Sequence, residues 1–203
     1  MKEWPILFSA PMVRAILDGH KTQTRRVIDK DVSNRFDIDT DGTAFAYIDQ
    51  ATGDSYKPHD ICIYKPGDIL WVRETWCDIY DIRGMNLPPR PIKECDTFYY
   101  KADYNFDAPV LKWRPSIHMP KRAARIWLEV KDVRVERVQD IRPEDCESEG
   151  IDDWCDDGIH DPSDALRKQF HNLWDAINTK RGYGWDANPW VWAIEFTMKE
   201  VAK

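Results

Sequence analysis

The run RIWLEVKDVRVERV, from Arg125 to Val138, constrains the fold more than any other stretch of the chain. Its apolar side chains alternate at Ile126, Leu128 and Val130 and then shift phase to Val133 and Val135. A period of two marks a strand with one buried face, and the slip marks a bulge or bend within it. A second alternating run, NPWVWAIEFTM, places Trp190, Trp192, Ile194 and Phe196 on one buried strand face near the end of the chain.

Shorter elements surround these two strands. Residues 6 to 8 (ILF) read as a strand, Pro11 suits the first turn of a helix with Met12, Ala15 and Ile16 as its stripe, and Gly19 suits a left-handed cap. Residues 20 to 28 then read as extended. RFDIDTDGTAFAYI, turning at Asp41-Gly42, predicts a hairpin inside an insertion. PGDILWVRETW predicts a turn and a strand with Leu70, Val72 and Glu74 on one face and Trp71, Arg73 and Thr75 on the other. The proline-rich residues 78 to 96 read as loop and TFYYKA (97 to 102) as strand. In QDIRPEDCESEGI, Asp140 is the candidate cap, Pro143 fits a first helical turn, Glu149 ends the helix and Gly150 stops it. Leu166, Phe170, Leu173, Trp174 and Ile177 give an amphipathic helix from about Pro162 to Asn178. Strands and a few helices in irregular order predict an α+β fold, a small mixed β-barrel with flanking helices, rather than a doubly wound parallel sheet.

Composition narrows the functional classes. With 203 residues, one domain carrying insertions is expected, and 42% hydrophobic against 32% charged residues describes a globule, neither disordered nor membrane-spanning. The start MKEWPILFSAP lacks a signal peptide's pattern, so a cytoplasmic address is the expectation. Five cysteines (Cys62, Cys77, Cys95, Cys146, Cys155) with no C-x-x-C pair argue for reduced thiols rather than a disulfide scaffold or a zinc site. The net charge of -7 opposes strong non-specific binding to nucleic acid but leaves room for one local cationic pocket.

That cationic chemistry is concentrated in GHKTQTRR, residues 19 to 26, at a helix-to-strand junction. The octapeptide resembles the G-x-K-T-x-T-x-R signature of the ASCH domain family, a branch of the PUA-like superfamily. Pro66-Gly67-Asp68, RETW, WRPSIHMP, the helix ending Glu149-Gly150 and NPWVWAIEF follow in the family's order. The whole is similar to ASCH-type proteins of phage and prophage genomes, as a single domain over 1–203 with insertions near 30–65, 78–122 and 152–162.

The resemblance implies a PUA-like barrel with a cleft for a nucleobase or an RNA segment. Small members of the family are amidohydrolases that deacylate N(4)-acylated cytidine with no metal or other cofactor, and their catalytic set carries over to Lys21, Thr24 and Glu149. The expected function is therefore amidohydrolysis of an acylated cytidine or a related pyrimidine nucleoside. Alternatives are a non-catalytic module that binds single-stranded RNA or a modified base, and an ASCH-type ribonuclease. Thr22, Arg26, Arg73, Glu74 and Trp76 are candidates for the rim of the cleft.

The chemistry of these residue types fits amide hydrolysis, which needs a nucleophile, a proton carrier and a holder for the oxyanion. In an extended segment, positions 21 and 24 face opposite ways, so their cooperation requires a bend between them. Glu149 either moves protons or acts as counterion to Lys21. Arg25 and Arg26 read equally well as surface charge or as phosphate contacts. Glu74 reads first as the partner of an inward-facing cation, and Lys121, Arg122 and Arg125 as a solvated cationic loop.

Overall fold

The computed structural model describes residues 1–78, 97–104, 110–151 and 162–199. The elements in chain order are β1 (Glu3–Leu7), α1 (Ala10–Leu17), β2 (Gln23–Val27), α2 (Lys30–Ser33), β3 (Phe36–Ile38), β4 (Ala44–Ile48) and β5 (Ser55–Tyr56). They continue with β6 (Ile69–Arg73), β7 (Trp76–Asp78), β8 (Phe98–Tyr100), β9 (Trp127–Arg137), α3 (Pro143–Ser148), α4 (Pro162–Asn178) and β10 (Trp190–Lys199). The fold is mixed α+β. The loop expected at 78–96 and the insertion at 152–162 fall almost wholly outside the described residues, as do Cys95 and Cys155.

The chain divides into two compact units, with the division falling inside β9 after Glu129. The first holds residues 1–19, 68–129 and 198–203. There β1 runs parallel to β6, with Trp4 opposite Leu70, and β6 runs antiparallel to the start of β9, with Leu70 opposite Leu128. Leu70, Val72 and Leu128 are fully buried between these strands and their covering side chains. The helix α1 carries Pro11 in its first turn and buries Val13 and Ile16, the latter alone belonging to the expected stripe. β7 and β8 form a separate antiparallel pair.

The second unit holds residues 20–67 and 130–197. Here β10 lies between the continuation of β9 and the antiparallel β2, with Ile194 opposite Thr24. Both faces of β10 are covered, Val191 by Leu166, Phe170 and Trp174 and Trp190 by Ile28, Phe36 and Ala44, which corrects the single face expected for the closing run. Val191 and Ala193 are as buried as Trp190 and Ile194, whereas Trp192 is only half-buried. The slip in β9 is real: Leu128, Val130 and Val133 are buried and the residues at 131 and 132 are exposed. The expected hairpin forms β3 and β4, to which β5 adds a third strand, and Gly42 turns it with φ +83°.

Helix α4 packs Leu166, Phe170 and Trp174 against Val138, Ile141 and Cys146, with Val191 in the same cluster. Leu173 is half-buried and Ile177 is exposed, so the apolar stripe is narrower than expected. Asp140 does not cap α3. It closes the 3-10 turn Val138–Asp140, whose chain direction keeps its carboxylate beside the Arg137 amide. Among the described strands, the recorded pairings form several sheets and none closes a ring.

Candidate functional site

Backbone geometry assembles the site in the second unit. Gly19, at φ +80°, ends the first helix in a conformation that costs glycine little. Thr22 precedes β2 and is pinned through its main chain: its N–H donates to Ser148 O at 2.8 Å, and its carbonyl accepts from the Phe196 N–H at 2.8 Å. Helix α3 stops at Ser148, Glu149 caps it and Gly150 follows at φ +82°. The last carbonyls of any helix lack intrahelical donors. At this end the residues of the motif supply them.

Lys21 is 2% exposed and Glu149 is 6% exposed. The Lys21 ammonium donates to Glu149 Oε2 at 2.6 Å and to the Glu149 main-chain oxygen at 2.7 Å. A carboxylate at the negative end of a helix is ordinarily unfavourable, and the lysine offsets both the carboxylate and the bare carbonyl. The other carboxylate oxygen, Oε1, accepts from Arg25 Nη1 at 3.2 Å. Arg25 also donates through Nε to Glu136 Oε1 at 2.7 Å and pairs with Asp145 Oδ2 at 3.2 Å. One guanidinium thus spans three carboxylates, with the Phe170 ring 5.8 Å away.

The surroundings set the protonation behaviour of the cations. Burial lowers the Lys21 pKa, Glu149 pulls it back up, and Arg26 and Arg25 push it down again, leaving it below the ordinary lysine value. Burial also works against the Arg25 charge, but Glu149, Glu136 and Asp145 outweigh it and hold that pKa above the usual one. For Arg26 burial wins over the attraction of Glu149 and the pKa falls. A guanidinium remains cationic regardless, so Lys21 is the cation of this cluster whose charge is open to titration.

Among the sequence candidates, Lys21 and Glu149 are therefore in direct contact. Thr24 is 3% exposed and lies in β2, where alternation sets Gln23 and Arg25 on one face and Thr24 and Arg26 on the other. Thr22 is half-buried and holds the backbone staple. Arg73, Glu74 and Trp76 belong to the first unit. There Glu74 takes a two-point contact from Arg125, Nε to Oε1 at 2.8 Å and Nη2 to Oε2 at 3.1 Å, as its reading as an ion-pair partner expected. Arg125 is accordingly no solvated loop cation. Trp76 is buried beside Phe98 and the Arg114 guanidinium, and Arg73 lies over Trp71.

Glu136 and Asp145 were not among the candidates, and Arg25, read as surface charge or a phosphate contact, is instead buried against three carboxylates. The signal was the pair Arg25-Arg26, because adjacent residues of a paired strand face opposite ways and one of them must be accommodated inside. Glu136 and Asp145, with Gln23, Arg134 and Arg142, line a cavity of about 570 Å³, large enough for a nucleoside; Lys21 and Glu149 are not among its lining residues. Among the described residues, no group of three or more His, Cys, Asp or Glu side chains is arranged to hold a metal ion, and no helix is long and apolar enough to cross a membrane.

No protein-family model matches the chain, and no curated protein matches it. Two solved structures resemble it at low identity. The ASCH domain from Lactobacillus crispatus JV V101 aligns with TM-score 0.43 and 10% identity, over 97% of this chain and 79% of that one. A hypothetical protein aligns with TM-score 0.35 and 15% identity, over 97% of this chain and 99% of that one.

Proposed function

We propose that the chain is an ASCH-type amidohydrolase that removes the acyl group from an N(4)-acylated cytidine or a related pyrimidine nucleoside. The observation that carries this reading is the buried contact between Lys21 of GHKTQTRR and Glu149 at the end of α3. It couples a cation of lowered pKa to a carboxylate in a site largely closed to water, where electrostatic stabilisation of an oxyanion is strong.

In this mechanism Glu149 takes a proton from a water molecule. The freed oxygen attacks the amide carbon and the carbonyl electron pair moves onto its oxygen, where the Lys21 ammonium stabilises it. The C–N bond then breaks, and Glu149 returns its proton to the departing amine. Arg25 fixes the orientation of Glu149 and leaves one carboxylate oxygen to Lys21. Net hydrolysis consumes one water and yields a carboxylic acid and the cytosine amine.

The test is release of acetate from N(4)-acetylcytidine by the full chain. Wild type turns over, Lys21→Gln and Glu149→Gln each lose about a hundredfold or more in kcat while still folded, and Thr24→Val separates nucleophile from bystander. Full activity with an unchanged pH profile in Glu149→Gln contradicts the reading. RNA cleavage abolished by Lys21→Gln, without deacylation, selects the ribonuclease instead.

A further inference from the structure

A second cavity, of about 380 Å³, lies in the same unit and does not include Lys21, Thr24, Glu149 or the partners of Arg25. It is built largely from the insertion and from the segment leading into β10, with Phe36 and Trp190 as its apolar side. These two rings meet edge to face at 5.6 Å. In a chain of net charge -7, none of the residues lining this cavity is acidic, and two of them, Lys30 and Arg137, are cations.

The cations are arranged around flat surfaces. The Arg137 guanidinium lies over the Trp190 ring at 4.1 Å and donates to the Asn188 main-chain oxygen at 3.0 Å. Asn188 adopts the left-handed conformation, φ +40°, which turns that carbonyl toward the arginine. Among the described residues no side-chain ion pair includes Arg137, and burial lowers its pKa against the pull of Asp140, whose carboxylate accepts from the Arg137 main-chain N–H. Lys30 and Arg181 flank the Tyr183 ring at 5.6 and 5.9 Å. A lysine beside a half-buried tyrosine, and a planar guanidinium stacked on a tryptophan, form a pattern that accepts a flat ring and an attached anion. The contrast with Arg25, whose charge is divided among three carboxylates, is direct.

We propose that this cavity is a second binding site, for a nucleoside monophosphate unit. Lys30 and Arg137 take the phosphate, and the base stacks on Tyr183 or on the outer face of the guanidinium. The unit is either a free mononucleotide or one residue of a single strand. The site is independent of the deacylase reading, since it neither uses nor touches the residues of that chemistry.

The test is calorimetric titration of the full chain, at low salt, with cytidine 5′-monophosphate, adenosine 5′-monophosphate, cytidine and a short single-stranded oligoribonucleotide. The monophosphates bind about tenfold or more tightly than cytidine, and Lys30→Gln, on an exposed side chain, weakens them about tenfold. Arg137→Gln has at least the same effect, while Lys21→Gln leaves the affinity unchanged. Tighter binding of the oligonucleotide identifies a strand as the source, and tighter binding of the monophosphates identifies the free nucleotide. Equal binding of cytidine and its monophosphate, no binding of any phosphate-bearing probe, or loss in Lys21→Gln but not in Lys30→Gln overturns the proposal.

Discussion

Each unit buries a glutamate on an arginine, and the two do it differently. In the first unit Glu74, 1% exposed, receives both of its contacts from one guanidinium, and Arg125 is itself seated 4.0 Å over the Tyr100 ring and tied to Asp103. The pair is closed on itself. In the second unit Glu149 gives one oxygen to Arg25 and the other to Lys21, a cation whose proton is held less tightly than usual. A carboxylate clamped by a bidentate guanidinium is a fixture, whereas one shared with a titratable ammonium has a neighbour that can exchange a proton. The comparison separates a structural carboxylate from one available for chemistry.

The sharpest way to break that contrast is to remove each arginine. Arg25→Met leaves Glu136, Asp145 and Glu149 facing one another with their shared cation gone, and is expected to cost about 3–5 kcal/mol, read from urea unfolding midpoints. Arg125→Met strands Glu74, but its partner is partly exposed and the expected loss is smaller, about 2–3 kcal/mol. Burial raises the Glu74 pKa even with Arg125 present. The stranded carboxyl therefore takes a proton readily, and the Arg125→Met deficit shrinks as the pH falls toward about 4. A deficit independent of pH contradicts the burial argument.

Alkali sharpens the comparison further. Burial pushes the Cys146 and Cys62 thiols of the second unit up to about 11 from 9.0, and the Tyr100 hydroxyl of the first unit up to about 12 from 10.0. In each case the unfolded chain releases its proton first, so the stabilisation is complete below the unfolded pKa and is lost as pH rises through the folded one. Each thiol accounts for roughly 2–3 kcal/mol between about pH 9 and 11. The second unit is thus expected to lose amide-exchange protection about one pH unit before the first. Cys146→Ala flattens the early part of that loss, at a smaller cost of about 1–2 kcal/mol in neutral solution.

Local signals were legible because their physical causes are local. The bend in β9 showed as a broken period of two, and Gly19 and Gly150 marked helix ends because positive φ favours glycine. Glu149 at the end of α3 was legible for the same reason. Lys21 was paired with it only through the family resemblance, and Arg25 was not paired with it at all: it meets Glu149 from 124 residues away, and nothing in a strand's own pattern names what lies opposite. The double burial of β10 was hidden because the residues that cover its two faces, those of α4 on Val191 and Phe36 and Ala44 on Trp190, come from other parts of the chain. Asp140 misled because a Pro-preceding aspartate suits a cap, while the turn Val138–Asp140 claims it first.

The most direct measurement compares the two glutamate partners in one assay. Lys21→Met and Arg125→Met, held at a temperature where both remain folded, are assayed for acetate release from N(4)-acetylcytidine. If the Lys21–Glu149 pair performs the chemistry and Arg125–Glu74 only holds the fold, the first variant loses about a hundredfold or more in kcat and the second stays within a few-fold of wild type. Equal losses in both, or full activity in Lys21→Met, would contradict that division of labour.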